Sequence, residues 1–104
     1  EHYCVRAANP SNRTITLTEA GLIGPSNYRI RMTELQNGIT FPFELSEGKS
    51  CTVSAEKREI EYRFHIMDIT GEMNLKGKVK LRGYYDDAIG KRYKSKRFKI
   101  NLDK

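Results

Sequence analysis

The chain has no tryptophan, and its 104 residues include only two cysteines, two histidines and three prolines. Each scarcity removes a class of protein. Without tryptophan there is no antibody-type core, which packs a buried indole against its disulfide. His2 and His65 are too few and too far apart for a metal centre. Cys4 and Cys51 lie in no C-x-x-C spacing, so zinc binding and thioredoxin-like chemistry have no support. No apolar run approaches the roughly 20 residues that span a bilayer, and no signal-peptide pattern is present. The chain opens on Glu1 rather than methionine, which is compatible with removal of an upstream segment. Ser11, Ser46 and Ser95 sit in no nucleophile-elbow context, and no glycine-rich phosphate loop exists. Asp86-Asp87 is a carboxylate pair with no third oxygen ligand nearby, which reads as turn residues rather than a cation site. The expectation is a protein that is not an enzyme, with no catalytic residue, cofactor or metal.

Acidic residues are scarce in one region. Residues 76–104 hold 11 Lys and Arg against 3 Asp and Glu, a balance of +8; residues 1–75 hold 8 against 10, a balance of −2. Such a split points to an anionic membrane surface, an acidic protein or a phosphate-bearing partner. The basic region is also the most regular. In Lys76–Tyr85 the cations Lys76, Lys78, Lys80 and Arg82 alternate with Val79, Leu81, Gly83 and Tyr85, the period of a strand with one dry and one wet face. Tyr93–Leu102 returns with Phe98, Ile100 and Leu102 on one side and Arg97, Lys99 and Asn101 on the other. Asp86–Gly90 between them has the composition of a hairpin loop. Pairing of these strands puts Lys78, Lys80, Arg82, Arg97 and Lys99 on one outward face. Like charges opposite one another cost sheet stability, so the face is either an edge and solubility device or a binding surface. Tyr84 and Tyr93 are the candidates for base stacking in a nucleic-acid reading.

The rest of the chain reads as short strands between turns. His2–Ala8 is a strand, Asn9–Asn12 a turn, and residues 3–7 and 13–17 make a hairpin. Asn12-Arg-Thr14 also matches an N-glycosylation sequon. Glu19 breaks the alternation of Ile15 and Leu17, and Ala20 and Leu22 resume it one step later, as a bulge does. Gly24–Asn27 and Gln36–Gly38 are turns around the alternating Tyr28–Met32. Pro42 makes Ile39–Leu45 an edge or switching segment, and its pairing is the route to a purely structural assembly role. Lys49–Ser54 is a strand with Cys51 and Val53 inward. Cys4 faces the other way from Tyr3 and Val5, so strand parity opposes a disulfide. Two free thiols suit a reducing compartment, hence the cytoplasm or the cytoplasmic face of a membrane. Residues 55–68 fit either period; the charged run before Ile60 favours a short helix capped by Ser54, with Ile60, Phe64 and Met67 on its buried face.

These elements predict a single all-β domain over residues 1–104. It is a sandwich of about seven strands with at most one short helix, of immunoglobulin or fibronectin type. The main rival is a five-stranded oligonucleotide-binding barrel, which has fewer strands than the turns demand. Val5–Asn9 running into Arg13–Gly21, then Phe43–Gly48, then Leu81–Phe98 resemble the immunoglobulin- or fibronectin-like sandwich of small uncharacterised bacterial proteins, often tethered by an N-terminal membrane helix. The resemblance covers most of the chain and implies the fold. It brings no catalytic residues, and it implies that the Asp86–Gly90 loop is a structural signature. A tethered basic hairpin of this kind would lie beside the anionic cytoplasmic leaflet.

Overall fold

The computed structural model describes residues 2–32, 34–35 and 40–102, with residues 34 and 35 described as backbone only. The expected Gln36–Gly38 turn and Ile39 lie outside them. The strands are β1 (His2–Ala8), β2 (Ile15–Ile23), β3 (Arg29–Arg31), β4 (Glu34–Leu35), β5 (Phe43–Leu45), β6 (Ser50–Glu56), β7 (Lys78–Asp87), β8 (Arg92–Lys94) and β9 (Phe98–Asn101). One helix, α1 (Lys57–Thr70), stands between β6 and β7. A three-stranded sheet runs β1-β6-β4, and a six-stranded sheet is built on β3-β2-β7-β8. In the larger sheet β5 and β3 lie along successive stretches of β2, and β8 and β9 along successive stretches of β7. The larger sheet therefore has four lanes and the smaller has three. The result is a mostly β domain with two packed sheets, consistent with a β-sandwich.

The core lies between the sheets. Val5, Leu17, Ala20, Leu22, Val53, Val79, Leu81 and Ile100 are all buried in it, as their alternation requires. The predicted bulge is present, with the β2–β7 register shifting between Leu17 and Glu19. Cys51 is buried, Cys4 is exposed, and both thiols are free. Tyr85 reaches across the interior and donates its hydroxyl to the Val5 carbonyl, so the central strand of one sheet grips the edge of the other.

Two expectations are corrected. Residues 3–7 and 13–17 do not form a hairpin. β1 pairs along its whole length with β6, from His2 opposite Glu56 to Ala8 opposite Ser50, and β2 belongs to the other sheet. The reason is Asn9, which is buried. Its amide donates to the carbonyls of Arg13 at 2.6 Å and Leu45 at 2.8 Å, and its Oδ1 accepts from the backbone and hydroxyl of Ser11. The asparagine thus supplies partners for the backbone of a crossover between sheets, where a tight hairpin would supply its own. Ser54 is not the helix cap. β6 continues to Glu56, which occupies the N-cap position without a side-chain cap bond.

The helix assignment itself holds. Ile60, Phe64 and Met67 are its buried residues, and Gly71 ends it in the left-handed conformation at φ 80°, where glycine carries no Cβ penalty. Asp68 then accepts backbone hydrogen bonds from Leu75 at 3.0 Å and Gly77 at 3.3 Å. This folds the 71–77 loop back onto the last turn and delivers the chain to the start of β7.

Candidate anion-binding groove

The outer face of the larger sheet divides into two zones by its charge. In the first zone every charge has a partner. Tyr84 is 0% exposed although it points outward. Its ring lies against Gly21, its hydroxyl donates to Glu19, and the Arg92 guanidinium covers it at 4.7 Å from the ring centre. Glu19 pairs with Arg29 and Arg31 at 3.3 and 3.4 Å. Asp86 accepts two bonds from Arg92, at 2.6 and 2.8 Å. Desolvation, the carboxylate hydrogen bond and the Glu19 charge together push the Tyr84 hydroxyl well above its ordinary range. The stacking reading proposed for Tyr84 is therefore corrected: its ring is already sandwiched. Tyr93 remains partly exposed.

In the second zone the charges are all of one sign. A groove of about 510 Å³ is lined by Lys78, Lys80, Arg82, Lys94, Arg97 and Lys99, with Asn27 and Asn74 on its walls and, among the described residues, no carboxylate in its lining. All five cations singled out from the sequence meet here. None of the six is ion-paired among the described residues. Lys80 stands directly opposite Lys99 in the β7–β9 ladder, a like-charge juxtaposition that sheets ordinarily avoid. Arg82 is half-buried, and its Nε is shielded from solvent without a hydrogen-bond partner.

Local structure explains the convergence. β8 pairs with β7 so that Tyr84 faces Lys94, whereas β9 pairs so that Leu81 faces Phe98. Three residues, Ser95–Arg97, thus oppose two on β7, which defines a bulge. Ser95 fills it, donating its backbone N–H to the Gly83 carbonyl at 2.9 Å and accepting the Gly83 N–H on its Oγ at 2.8 Å. The bulge changes the phase of the returning strand, so Lys94 joins Arg97 and Lys99 on one face. Strict alternation misses Lys94 for this reason. The available signal was Lys94, Lys96 and Arg97, cations of both parities around a serine, which no single phase can serve. The opposite wall is a 3-10 turn at Pro25–Asn27, closed by the Tyr28 N–H on the Pro25 carbonyl at 3.1 Å.

The expected Asp86–Gly90 loop is shorter than its composition suggested: β7 runs on through Asp87, and the aspartates at its end hold the turn that follows. Asp87 accepts backbone hydrogen bonds from Ile89 at 3.1 Å and Lys91 at 2.9 Å, and one from the Tyr93 hydroxyl at 2.9 Å. Desolvation opposes its ionisation, but these donors outweigh it and hold the carboxyl below its usual range. Arg92 does the same for Asp86. Folded-state values below the unfolded ones stabilise above about pH 4, and that contribution is lost as pH falls through the folded values. The Tm should therefore drop on acidification below pH ~4, and Asp87→Asn, which keeps the loop's shape, should flatten the drop. Parallel acid profiles for the two proteins in a calorimeter would contradict this role for Asp87.

Among the described residues no group of three His, Cys, Asp or Glu side chains is placed to hold a metal ion. No helix among them is long and apolar enough to cross a membrane. No family model, curated protein or solved structure matches the chain.

Proposed function

We propose that the protein is a non-enzymatic interaction module that presents its basic groove to an anionic surface, that of a membrane or of an acidic protein. The observation that carries this reading is the contrast within one sheet face. Where carboxylates are available the cations are paired with them; around the groove six cations crowd together with none. Scattered surface lysines would serve solubility equally well without mutual repulsion, and a concave cluster costs stability unless a counter-charge fills it. The three-lane and four-lane sheets support assigning the sandwich to the immunoglobulin or fibronectin type, here with a helix between its sixth and seventh strands. Sequence-independent nucleic-acid binding is the second reading, and it is weakened by the loss of Tyr84 as a stacking platform.

Binding to vesicles of anionic lipid should fade with added salt, because exposed charges are screened within about 10 Å at 0.1 M. Reversal of Lys80, Arg97 and Lys99 to glutamate should abolish it in a sedimentation assay with anionic and neutral vesicles. Unchanged binding by the triple variant would remove the groove from the interaction.

A further inference from the structure

We infer that the groove's ligand is a compact group bearing several phosphates, which enters the concavity and rests on the cations of β7 and the returning β8–β9 strand, beside the Pro25–Asn27 wall. The inference rests on the reading above and narrows it from an anionic surface to a chemical class. The groove's volume of about 510 Å³ falls among small-ligand sites, which span roughly 300–1,000 Å³. The cations stand in two adjacent rows on the groove's floor: Lys78, Lys80 and Arg82 from β7, Lys94, Arg97 and Lys99 from the returning strand paired with it. Two adjacent rows suit a ligand with anionic groups at several points around a small body, and they suit a single carboxylate poorly. Asn27 and Asn74 supply neutral amide donors at the walls. Arg82 lines the same floor, and among the described residues its Nε has no hydrogen-bond partner that would commit the guanidinium elsewhere. A guanidinium is also the side chain whose planar fork matches phosphate oxygens. The bulge adds Lys94 to the set, so the irregularity in the strand serves the site. The same chemistry occurs on a soluble polyphosphorylated polyol and on a phosphoinositide headgroup.

The test uses inositol hexakisphosphate, tripolyphosphate, orthophosphate and sulfate in calorimetric titration and thermal melting. Vesicles with a phosphoinositide bisphosphate, vesicles with phosphatidylserine at equal charge, and a duplex oligonucleotide complete the set. Inositol hexakisphosphate should bind once per chain, raise the Tm, and bind at least about tenfold more tightly than orthophosphate or sulfate, since each charge-assisted contact contributes roughly a factor of ten. Arg82→Gln and Lys94→Gln should each weaken it by about tenfold, while Lys49→Gln, outside the groove, should leave it unchanged. Should Arg82→Gln fail to fold, the exposed pair Lys80→Gln and Lys99→Gln carries the same expectation. Preference for the phosphoinositide vesicle over phosphatidylserine assigns the lipid source; equal vesicle binding alongside tight hexakisphosphate binding assigns the soluble one. If phosphatidylserine vesicles bind and hexakisphosphate behaves as sulfate does, the inference is overturned and the broader reading survives. If the oligonucleotide binds more tightly than hexakisphosphate, the ligand class is wrong. If no probe binds at low salt, the inference falls, and the membrane arm of the broader reading falls with it.

Discussion

Phe64→Ala should lower the free energy of unfolding by about 3–5 kcal/mol, the usual cost of emptying a buried aromatic site. That is a large share of the roughly 5–15 kcal/mol that holds a domain of this kind together. Phe64 is 0% exposed and sits where several elements meet. Its ring packs edge-on to Tyr28 at 5.9 Å between centres, and it lies next to Gly24 and close to Leu81. It therefore props the Pro25–Asn27 wall and the β7 floor of the groove from behind, and the variant should lose ligand affinity along with stability. Tyr62→Ala, on the exposed face of the same helix, should change stability by no more than about 0.5 kcal/mol. Urea denaturation measures both. A Phe64→Ala loss below about 1.5 kcal/mol would mean that α1 is not integral to the core.

Gly21→Ala should be comparably damaging. At an unconstrained position the exchange of glycine for alanine stabilises by about 0.4–1 kcal/mol through the unfolded chain, so the expected sign here is opposite to the general one. A Cβ at Gly21 would stand 2.0 Å from the Ile30 carbonyl oxygen and 3.0 Å from the Tyr84 ring. The ring could turn aside, but the carbonyl belongs to β3 and is fixed by the β2–β3 ladder, where Gly21 opposes Arg31. Relief requires lifting β3 from the sheet, which would detach Arg29 and Arg31 from Glu19 and uncover Tyr84. A cost of about 3 kcal/mol or more is expected, at the upper end for overpacking. It should be read as a lower Tm and as earlier ionisation of a tyrosine in an ultraviolet pH titration, because desolvation is the largest of the causes that hold Tyr84 above its ordinary range. An unchanged or raised Tm would show that β3 does not lie across Gly21.

These residues also mark what a sequence reading can reach. Alternation of side chains is a local property, and it was legible wherever one face of a strand is buried. Val79, Leu81 and Tyr85 inward, the phase break at Glu19, and the inward Cys51 with the outward Cys4 all follow from period alone; the Ile60, Phe64 and Met67 stripe also needed the charged run before Ile60, because residues 55–68 fit a strand's period as well. Gly21 shows the limit. Nothing in its neighbours announces that a carbonyl from another strand lies against it.

Partner choice was the part that local pattern could not supply. β1 looked like half of a hairpin because the Asn9–Asn12 turn signal is strong. The buried amide of Asn9 instead bonds to Leu45, 36 residues away, and sends the chain to the other sheet. Tyr84 looked like a solvent-facing aromatic because its parity is outward; Gly21, Glu19 and Arg92, brought in from other strands, bury it.

What the sequence by itself determined is most of the strands among the described residues, the leaning to a helix within residues 55–68, and a returning pair of strands whose cations Lys78, Lys80, Arg82, Arg97 and Lys99 share a face. All of these depend on residues a few positions apart. Only the tertiary structure decided which cations are neutralised and which are not. Glu19 reaches Arg29 and Arg31 through strand pairing, Asp86 holds Arg92, and no carboxylate lines the groove, where the bulge at Ser95–Arg97 adds Lys94. Charge compensation depends on distances across strands, and those are set by register rather than by composition.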